Sequence, residues 1–425
     1  MLERAVEDVW VFSTHDHLRP MDGHPRPMSL VDLLKDSYAA LAFRDADGSP
    51  HGMGTTNRLA GTPGWRDVAP LLSRMRSTSA FRILQSAFVE LYGVEAHDWS
   101  EAEYEALDAA VAQRYADPGW LSDALDRARV VGVIWDNFWK PGEWRVPDDR
   151  LAPSMRIDSS VAAVDAEASD YVGCNVIRDW AGELGVDVST LDELEELITR
   201  LADRNLQAGG RSFKAAIAYD RSLLVKEVPR SEAAAVFGRG SGSLTHEERT
   251  AFGDHIVAFC LEIARAHGMV FQVHTGTARL AGSDPTNLIP LLERFHDVVF
   301  DLFHIGYPWT REAAALARAY PNVRLNLTWL PNISMEVAVS VLKECLQAVP
   351  ESGRVTWGAD AKTPEEMYGS VKAAKQVVGR ALGELMDEGQ LSLDDAMVEA
   401  ERILWRSGAE IYGIDPMAQM KRLGG

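Results

Sequence analysis

The chain is poor in cysteine. Three of its 425 residues are Cys174, Cys260 and Cys345, with no CxxC spacing among them. Thiols so far apart suggest neither a disulfide framework nor a thiolate metal site. Cys260 in IVAFCLEIA and Cys345 in VLKECLQAV fall in helical patterns and are expected to be buried, structural thiols. A run of about 18 apolar residues is also missing, so no membrane-spanning helix is expected. The first ten residues, MLERAVEDVW, carry neither a basic n-region nor an apolar h-region. No signal peptide is therefore expected, and a cytoplasmic protein is the default. Positive charge is scarce: 43 Lys and Arg stand against 63 Asp and Glu, a formal net charge of −20. Such a field repels phosphate backbones, which sets nucleic acid and anionic membrane aside as partners. The expected partner is a small-molecule substrate, with self-association into a homo-oligomer left open.

What is present is an ordinary globular composition, 46% hydrophobic and 25% charged, in a chain long enough for a large core. Short apolar runs alternate with helical patterns at a spacing of roughly 25–30 residues, the βα-unit signature. The runs are VWVFSTH (9–15), RARVVGVIW (127–135), APSMRID (152–158), SFKAAIAY (212–219), MVFQVHTG (269–276), VVFDLFHIGYP (298–308), NVRLNLTWL (322–330) and RVTWGAD (354–360). Helices are expected over 190–206, 245–267, 285–296, 310–319 and 334–348. Thr245 with Glu248, and Thr363 with Glu366, read as capping boxes. Eight such strands predict an α/β fold, a (β/α)8 TIM barrel, with its active site at the C-terminal ends of the strands. Residues 1–425 are expected to be one barrel domain. Residues 20–125 break the repeat with four helical patterns, and read as a long helical insertion after the first strand that caps the barrel mouth. The segment from Ser392 onward reads as helices packed against the barrel.

The stretch FSTHDHLRP places His15 and His17 two apart at the end of strand one. Residues i and i+2 of a strand share a face, and imidazole suits divalent first-row metals. In a barrel these two converge with Lys214 of strand four, His274 ending strand five, His304 ending strand six and Asp360 ending strand eight. The other seven histidines (24, 51, 97, 246, 255, 267 and 296) read as structural or solvated. Asp360 is the expected proton acceptor, since no other carboxylate is foreseen at a strand end aimed at the reacting water; Asp301 is mid-strand. A metal lowers the pKa of bound water from about 15.7 to about 7, which yields hydroxide at neutral pH.

The order HxH…K…H…H…D resembles the amidohydrolase superfamily of metal-dependent barrels. The resemblance implies a centre of one or two divalent metals, zinc before manganese, iron, cobalt or nickel, and hydrolysis of a C–N, C–O or P–O bond. By position it implies that His15, His17 and Asp360 bind one metal and that His274 and His304 bind a second. Lys214 would bridge them after carboxylation by carbon dioxide, because an ammonium has no lone pair for a cation. SFKAAIAY is also similar to the strand-four motif of the hydantoinase and dihydropyrimidinase branch, which implies that Tyr219 donates to the developing oxyanion. The insertion, FDLFHIGYPW and GADAKTPEEMYG resemble an amidohydrolase-related group that neighbours the uronate isomerases; those isomerases convert a sugar acid by proton transfer and generally lack the strand-four lysine, so Lys214 argues for hydrolysis and leaves isomerisation open.

The leading expectation is a metal-dependent hydrolase of a small polar molecule, an amide, lactone or related compound, acting through a metal-activated hydroxide. A metal-dependent lyase or isomerase, such as a decarboxylase or a uronate-isomerase-like enzyme, is the alternative, and a non-catalytic binding barrel the third. Trp135, Trp139, Trp309 and Trp329 are candidate pocket walls, and Arg19 or Arg156 a candidate partner for a substrate carboxylate; each has packing at the rim as its plainer role.

Overall fold

The computed structural model describes residues 2–43, 64–94 and 100–424. Eight parallel strands run in sequence order: β1 (Val11–Asp16), β2 (Val130–Trp135), β3 (Leu151–Arg156), β4 (Ser212–Ala215), β5 (Val270–His274), β6 (Phe300–Phe303), β7 (Val323–Asn326) and β8 (Val355–Thr356). Seven ladders join them in order, from β1–β2 to β7–β8. The residues after β8 close the circle on β1. Thr14 N–H donates to Trp357 O (3.0 Å), Asp360 N–H to His15 O (2.9 Å) and His17 N–H to Ala361 O (2.8 Å). This closure needs Gly358, where a Cβ would lie 2.4 Å from Thr328 Oγ1 and 2.9 Å from His15 N.

The chain is thus a (β/α)8 TIM barrel, and the strand order is the one read from the sequence. The strands are shorter than their apolar runs. His17 and His304 lie one residue beyond a strand, and Asp360 lies four beyond β8. The helix His246–His267 has its foreseen capping box, with Thr245 Oγ1 accepting from Glu248 N–H (3.1 Å) and Glu248 accepting from Thr245 N–H (2.8 Å). Thr363 caps the helix Pro364–Asp387, but the second box is not reciprocal. Glu366 accepts instead from Tyr38 N–H (2.7 Å) and Lys362 N–H (3.0 Å). A residue of the segment after β1 has taken the acceptor that a local box would use.

The barrel floor is polar and closed from below. Tyr412, on the helix Ser407–Tyr412, donates to Asp301 (2.6 Å), and Asn326 Nδ2–H bonds both Asp301 (2.8 Å) and Thr14 (2.7 Å). Phe12, Ile134, Val270 and Ala409 pack around Tyr412 in a small apolar cluster. Cys260 and Cys345 are buried, as expected for structural thiols.

Between β1 and β2 the described helices are Leu30–Asp36, Trp65–Met75, Ser79–Tyr92, Glu101–Tyr115 and Trp120–Arg127, with a 3-10 turn over Tyr38–Phe43. They are tied to the barrel through Glu365. Its buried carboxylate accepts from Tyr92 O–H (2.5 Å), Tyr115 O–H (2.8 Å) and Trp120 Nε1–H (3.0 Å). His51 and His97, read as structural or solvated, lie outside the described residues. Among the described residues no helix is long and apolar enough to cross a membrane.

Candidate metal centre

At the C-terminal mouth of the barrel, ligand atoms of His15, His17 and Asp360 lie within 4.8 Å of one another, and all three residues are buried. His17 Nδ1–H donates to Asp136 O at 2.7 Å. A carbonyl oxygen can only accept, so the lone pair of the neutral ring sits on Nε2, 3.1 Å from Asp360 Oδ1. His15 Nε2 is 3.7 Å from the same oxygen. Two electron-rich atoms approach this closely only around a positive centre, a proton or a cation, so the donor set suits a divalent metal. Burial and nearby Lys214 hold His15 well below the usual imidazole range, and burial also pushes His304 down, to about 4. Both rings are therefore neutral, the form that ligates. Burial alone would raise Asp360, but where a proton and not a cation lies between it and His17 Nε2, that hydrogen bond and charge, with His304 and Lys214, bring its carboxyl down to about 2.

His274 and His304 stand beside this cluster. His304 Nδ1–H donates to Thr328 O (2.7 Å), and its Nε2 faces His274 Nδ1 at 3.2 Å. His274 Nε2 is 3.0 Å from Thr277 Oγ1. Lys214 is buried, with its Nζ 3.5 Å from the centre of the Phe303 ring and no hydrogen-bond or ion-pair partner among the described residues. Burial lowers its pKa to about 7 against the attraction of Asp136. The same Phe303 ring lies 4.5 Å from that of His15. Tyr219 stacks on Tyr171 (4.5 Å) and approaches His274 (4.7 Å).

The candidate substrate residues divide. Arg156 already holds an internal carboxylate: Nε and Nη2 donate to Asp136 Oδ2 (3.2 and 2.8 Å), and Nη1 to Tyr171 O–H (2.6 Å). Arg19 lies 3.3 Å from Asp36 and over the ring of Trp139 (4.5 Å). Trp135 is buried and donates to Leu18 O (2.8 Å), a rim-packing role. Trp309 precedes the helix Thr310–Ala319 and makes no ring contact with the centre among the described residues. Trp329 does: its ring is 5.6 Å from His304 and 5.0 Å from Tyr38, and its buried Nε1–H has no acceptor among the described residues.

The expectation that no carboxylate but Asp360 ends a strand near the site is corrected. Asp136, the residue after β2, is fully buried with Oδ2 4.0 Å from His15 Nε2, and Asp158 follows β3 closely. Both were legible from their place in WDN and RID. Tyr38 was not: its O–H donates to Asp360 Oδ1 at 2.9 Å from a segment more than three hundred residues away in sequence. The backbone carries a further mark. His304, Trp329 and Asp360 all have φ near +60°, at 61°, 59° and 60°. Three non-glycine residues in the left-handed region at neighbouring strand ends mark a site where geometry overrides local preference.

An eight-stranded parallel barrel with paired histidines and a carboxylate at its mouth defines the class of metal-site TIM barrels. Residues 192–400, which include Lys214, His274, His304 and Asp360, match the family model described as Amidohydrolase. Just under half of the chain is thus similar to the amidohydrolase family. It is 25% identical over 370 residues to the protein fluG of Emericella nidulans, covering 81% of this chain and 42% of that one. The chain therefore spans about two fifths of that relative's length. The fold is shared with uronate isomerase of Thermotoga maritima (15% identity, TM-score 0.75, covering 97% and 96% of the two chains) and with glucuronate isomerase of Caulobacter crescentus (18%, 0.76, 97% and 93%). It is also shared with a protein of Lactobacillus casei assigned as a metal-dependent hydrolase (18%, 0.67, 100% and 99%). At these identities the solved structures speak for the fold alone.

Proposed function

We propose that this chain is a metal-dependent hydrolase of a small polar molecule with an amide, lactone or related bond. One divalent cation, zinc in this reading, is held by His15, His17 and Asp360. The observation that carries the reading is the approach of His17 Nε2, His15 Nε2 and Asp360 Oδ1 around one point. A cation there supplies Lewis acidity to a substrate carbonyl and makes water a stronger acid. His17 is held in its ligating tautomer by Asp136 O. Tyr38 fixes Oδ1 of Asp360, which leaves Oδ2 to take the proton from the attacking water and return it to the leaving group. Trp329 Nε1–H and the Tyr219 phenol are the donors proposed for substrate oxygens, Tyr219 at the developing oxyanion.

A second reading is isomerisation or a lyase reaction. It would suit a centre of one metal, the number that the cluster of His15, His17 and Asp360 by itself would hold. The two readings part on substrate. Purified protein is analysed for metal and then screened against amides, lactones and uronic acids. Hydrolysis of an amide or lactone that stops on chelation and returns with zinc supports the proposal. Turnover of a uronic acid without hydrolysis moves the assignment to the second reading, and a protein that binds no divalent metal overturns both.

A further inference from the structure

A cavity of about 500 Å³ lies among the helices Leu2–Glu7, Ser79–Tyr92 and Pro364–Asp387, apart from the metal centre. Its walls carry five cationic side chains and three carboxylates, in a chain whose net charge is −20. Three of the five are matched by carboxylates. Lys372 Nζ donates to Glu90 (2.7 Å), Arg380 donates twice to Glu336 (2.8 and 2.9 Å), and Arg127 lies 3.1 Å from Asp123. Arg129 and Lys375 have no carboxylate partner among the described residues. Lys375 is 9% exposed and gives one N–H to Glu7 O (2.6 Å). An ammonium has three donors, so two are left. Burial, then the charge of Arg129, lower its pKa to about 8 against the pull of Asp8 and Glu7. The strongest charge acting on this ammonium is thus a like one. Arg129 has a left-handed backbone, φ 59°, and lays its guanidinium on the Trp10 ring, with Cζ 3.8 Å from the ring centre. Its Nε is sealed from water without a partner; Nη1 and Nη2 also make no hydrogen bond among the described residues, but they are open to water. Arg129 lines this cavity and not the neighbouring groove that Trp10 lines, so the open edge of its fork faces this cavity. The half-buried Tyr368, on another part of the wall, has an O–H that is likewise open and without an acceptor among the described residues. The unpaired carboxylates, Glu3 and Glu7, are exposed on the helix Leu2–Glu7. Two cations held together at a strained backbone position are stabilised by an anion between them.

We propose that this cavity binds a phosphate dianion on Arg129 and Lys375, with room along Val371 and Tyr368 for the body of a phosphate monoester. A guanidinium edge offers two parallel N–H donors to phosphate oxygens, and an ammonium adds a point charge, so the pair matches a dianion in both charge and donors. Val371, Lys372 and Lys375 follow Tyr368 at the three, four and seven residue spacings of one helix face, which carries the cavity wall from Tyr368 to Lys375. The site does not rest on the metal reading, because none of its residues is a proposed ligand.

The test titrates the full-length protein by calorimetry, at fixed ionic strength, with inorganic phosphate, with phenyl phosphate and with acetate as a monoanion. Saturable binding of one or both phosphates is expected, at least tenfold tighter than acetate. Tighter phenyl phosphate assigns the site to an ester, and tighter inorganic phosphate to the free ion. Arg129→Gln removes the fork and Lys375→Met removes the ammonium while keeping an apolar stem. Each should weaken phosphate binding about tenfold or more, the loss of one charge-assisted hydrogen bond. Neither residue belongs to the metal centre, so phosphate bound only at a metal would be unaffected by either change. Lys375→Met replaces a buried ammonium by an apolar group and decides the matter if Arg129→Gln fails to fold. No saturable binding of either phosphate, acetate bound as tightly, or a phosphate affinity unchanged by Lys375→Met overturns the proposal.

Discussion

Replacing Glu365 by alanine tests how the helices after β1 are held to the barrel. The carboxylate is fully buried and is the common acceptor for Tyr92, Tyr115 and Trp120 at 2.5, 2.8 and 3.0 Å. Tyr115 and Trp120 are themselves buried, so their donors have no route to bulk water once the acceptor is gone. An orphaned buried donor costs roughly 1–3 kcal/mol. Three of them bound the cost at about 3–9 kcal/mol, and a water entering the vacated space would recover part of it. The expected loss is therefore about 3–6 kcal/mol. It offsets no gain, because the deleted side chain was already paired. Urea unfolding read by fluorescence and by circular dichroism gives the loss, and limited proteolysis tells whether the helices of 64–127 release before the barrel. Tyr92→Phe, which removes one donor and leaves the acceptor two others, should cost only about 1–2 kcal/mol. A Glu365→Ala protein within about 0.5 kcal/mol of the parent, the usual range for an unimportant surface change, would refute the reasoning.

Three more outcomes are expected. Asp360→Asn keeps an oxygen at Oδ1 but cannot accept a proton at neutral pH, so kcat on the substrate found by screening should fall about 10²–10⁴-fold while metal remains measurable; near-parental kcat would remove Asp360 as the proton acceptor. Metal content should be one per chain and unchanged by Lys214→Ala; two metals in the presence of bicarbonate, reduced to one or none by that substitution, would establish the carbamate bridge instead. Burial raises Glu366 to about 7, against the attraction of Lys362 and its two backbone hydrogen bonds. The folded state therefore keeps a proton that the unfolded chain releases near its ordinary value. This contribution is fully present at low pH and is lost as pH rises to about 7, by an order of about 3 kcal/mol. Glu366→Gln should flatten that part of the stability–pH curve in urea titrations, and an unchanged slope would show that Glu366 does not hold the proton.

The barrel was legible because its code is local and repeated. Most apolar runs are followed by a helix, and the cap at Thr245 and stop at Gly268 are set by residues three or four apart. The same locality exposed His15 and His17, since a strand puts i and i+2 on one face. That they meet Asp360 follows once strand order is known, because every C-terminal strand end in a barrel faces the same mouth. Other features depended on contacts between residues distant in the chain, which no periodicity records. Glu366 looked like half of a capping box, but in the folded chain it receives Tyr38 N–H, and Tyr38 in turn reaches Asp360. Arg156 looked available to a substrate, yet the neighbouring strand supplies Asp136 to neutralise it. Lys214 was placed on strand four from the sequence, but its position over Phe303 depends on how β4 and β6 bring their inward side chains together. The sequence by itself determined the fold and singled out six candidate residues on or just after strands, because hydrophobic period and strand position are properties of short segments. Tertiary structure alone decided which charges are already paired, which donors remain open and which residue after β1 touches the centre, because hydrogen bonding is set by ångström-scale approach between segments far apart in the chain.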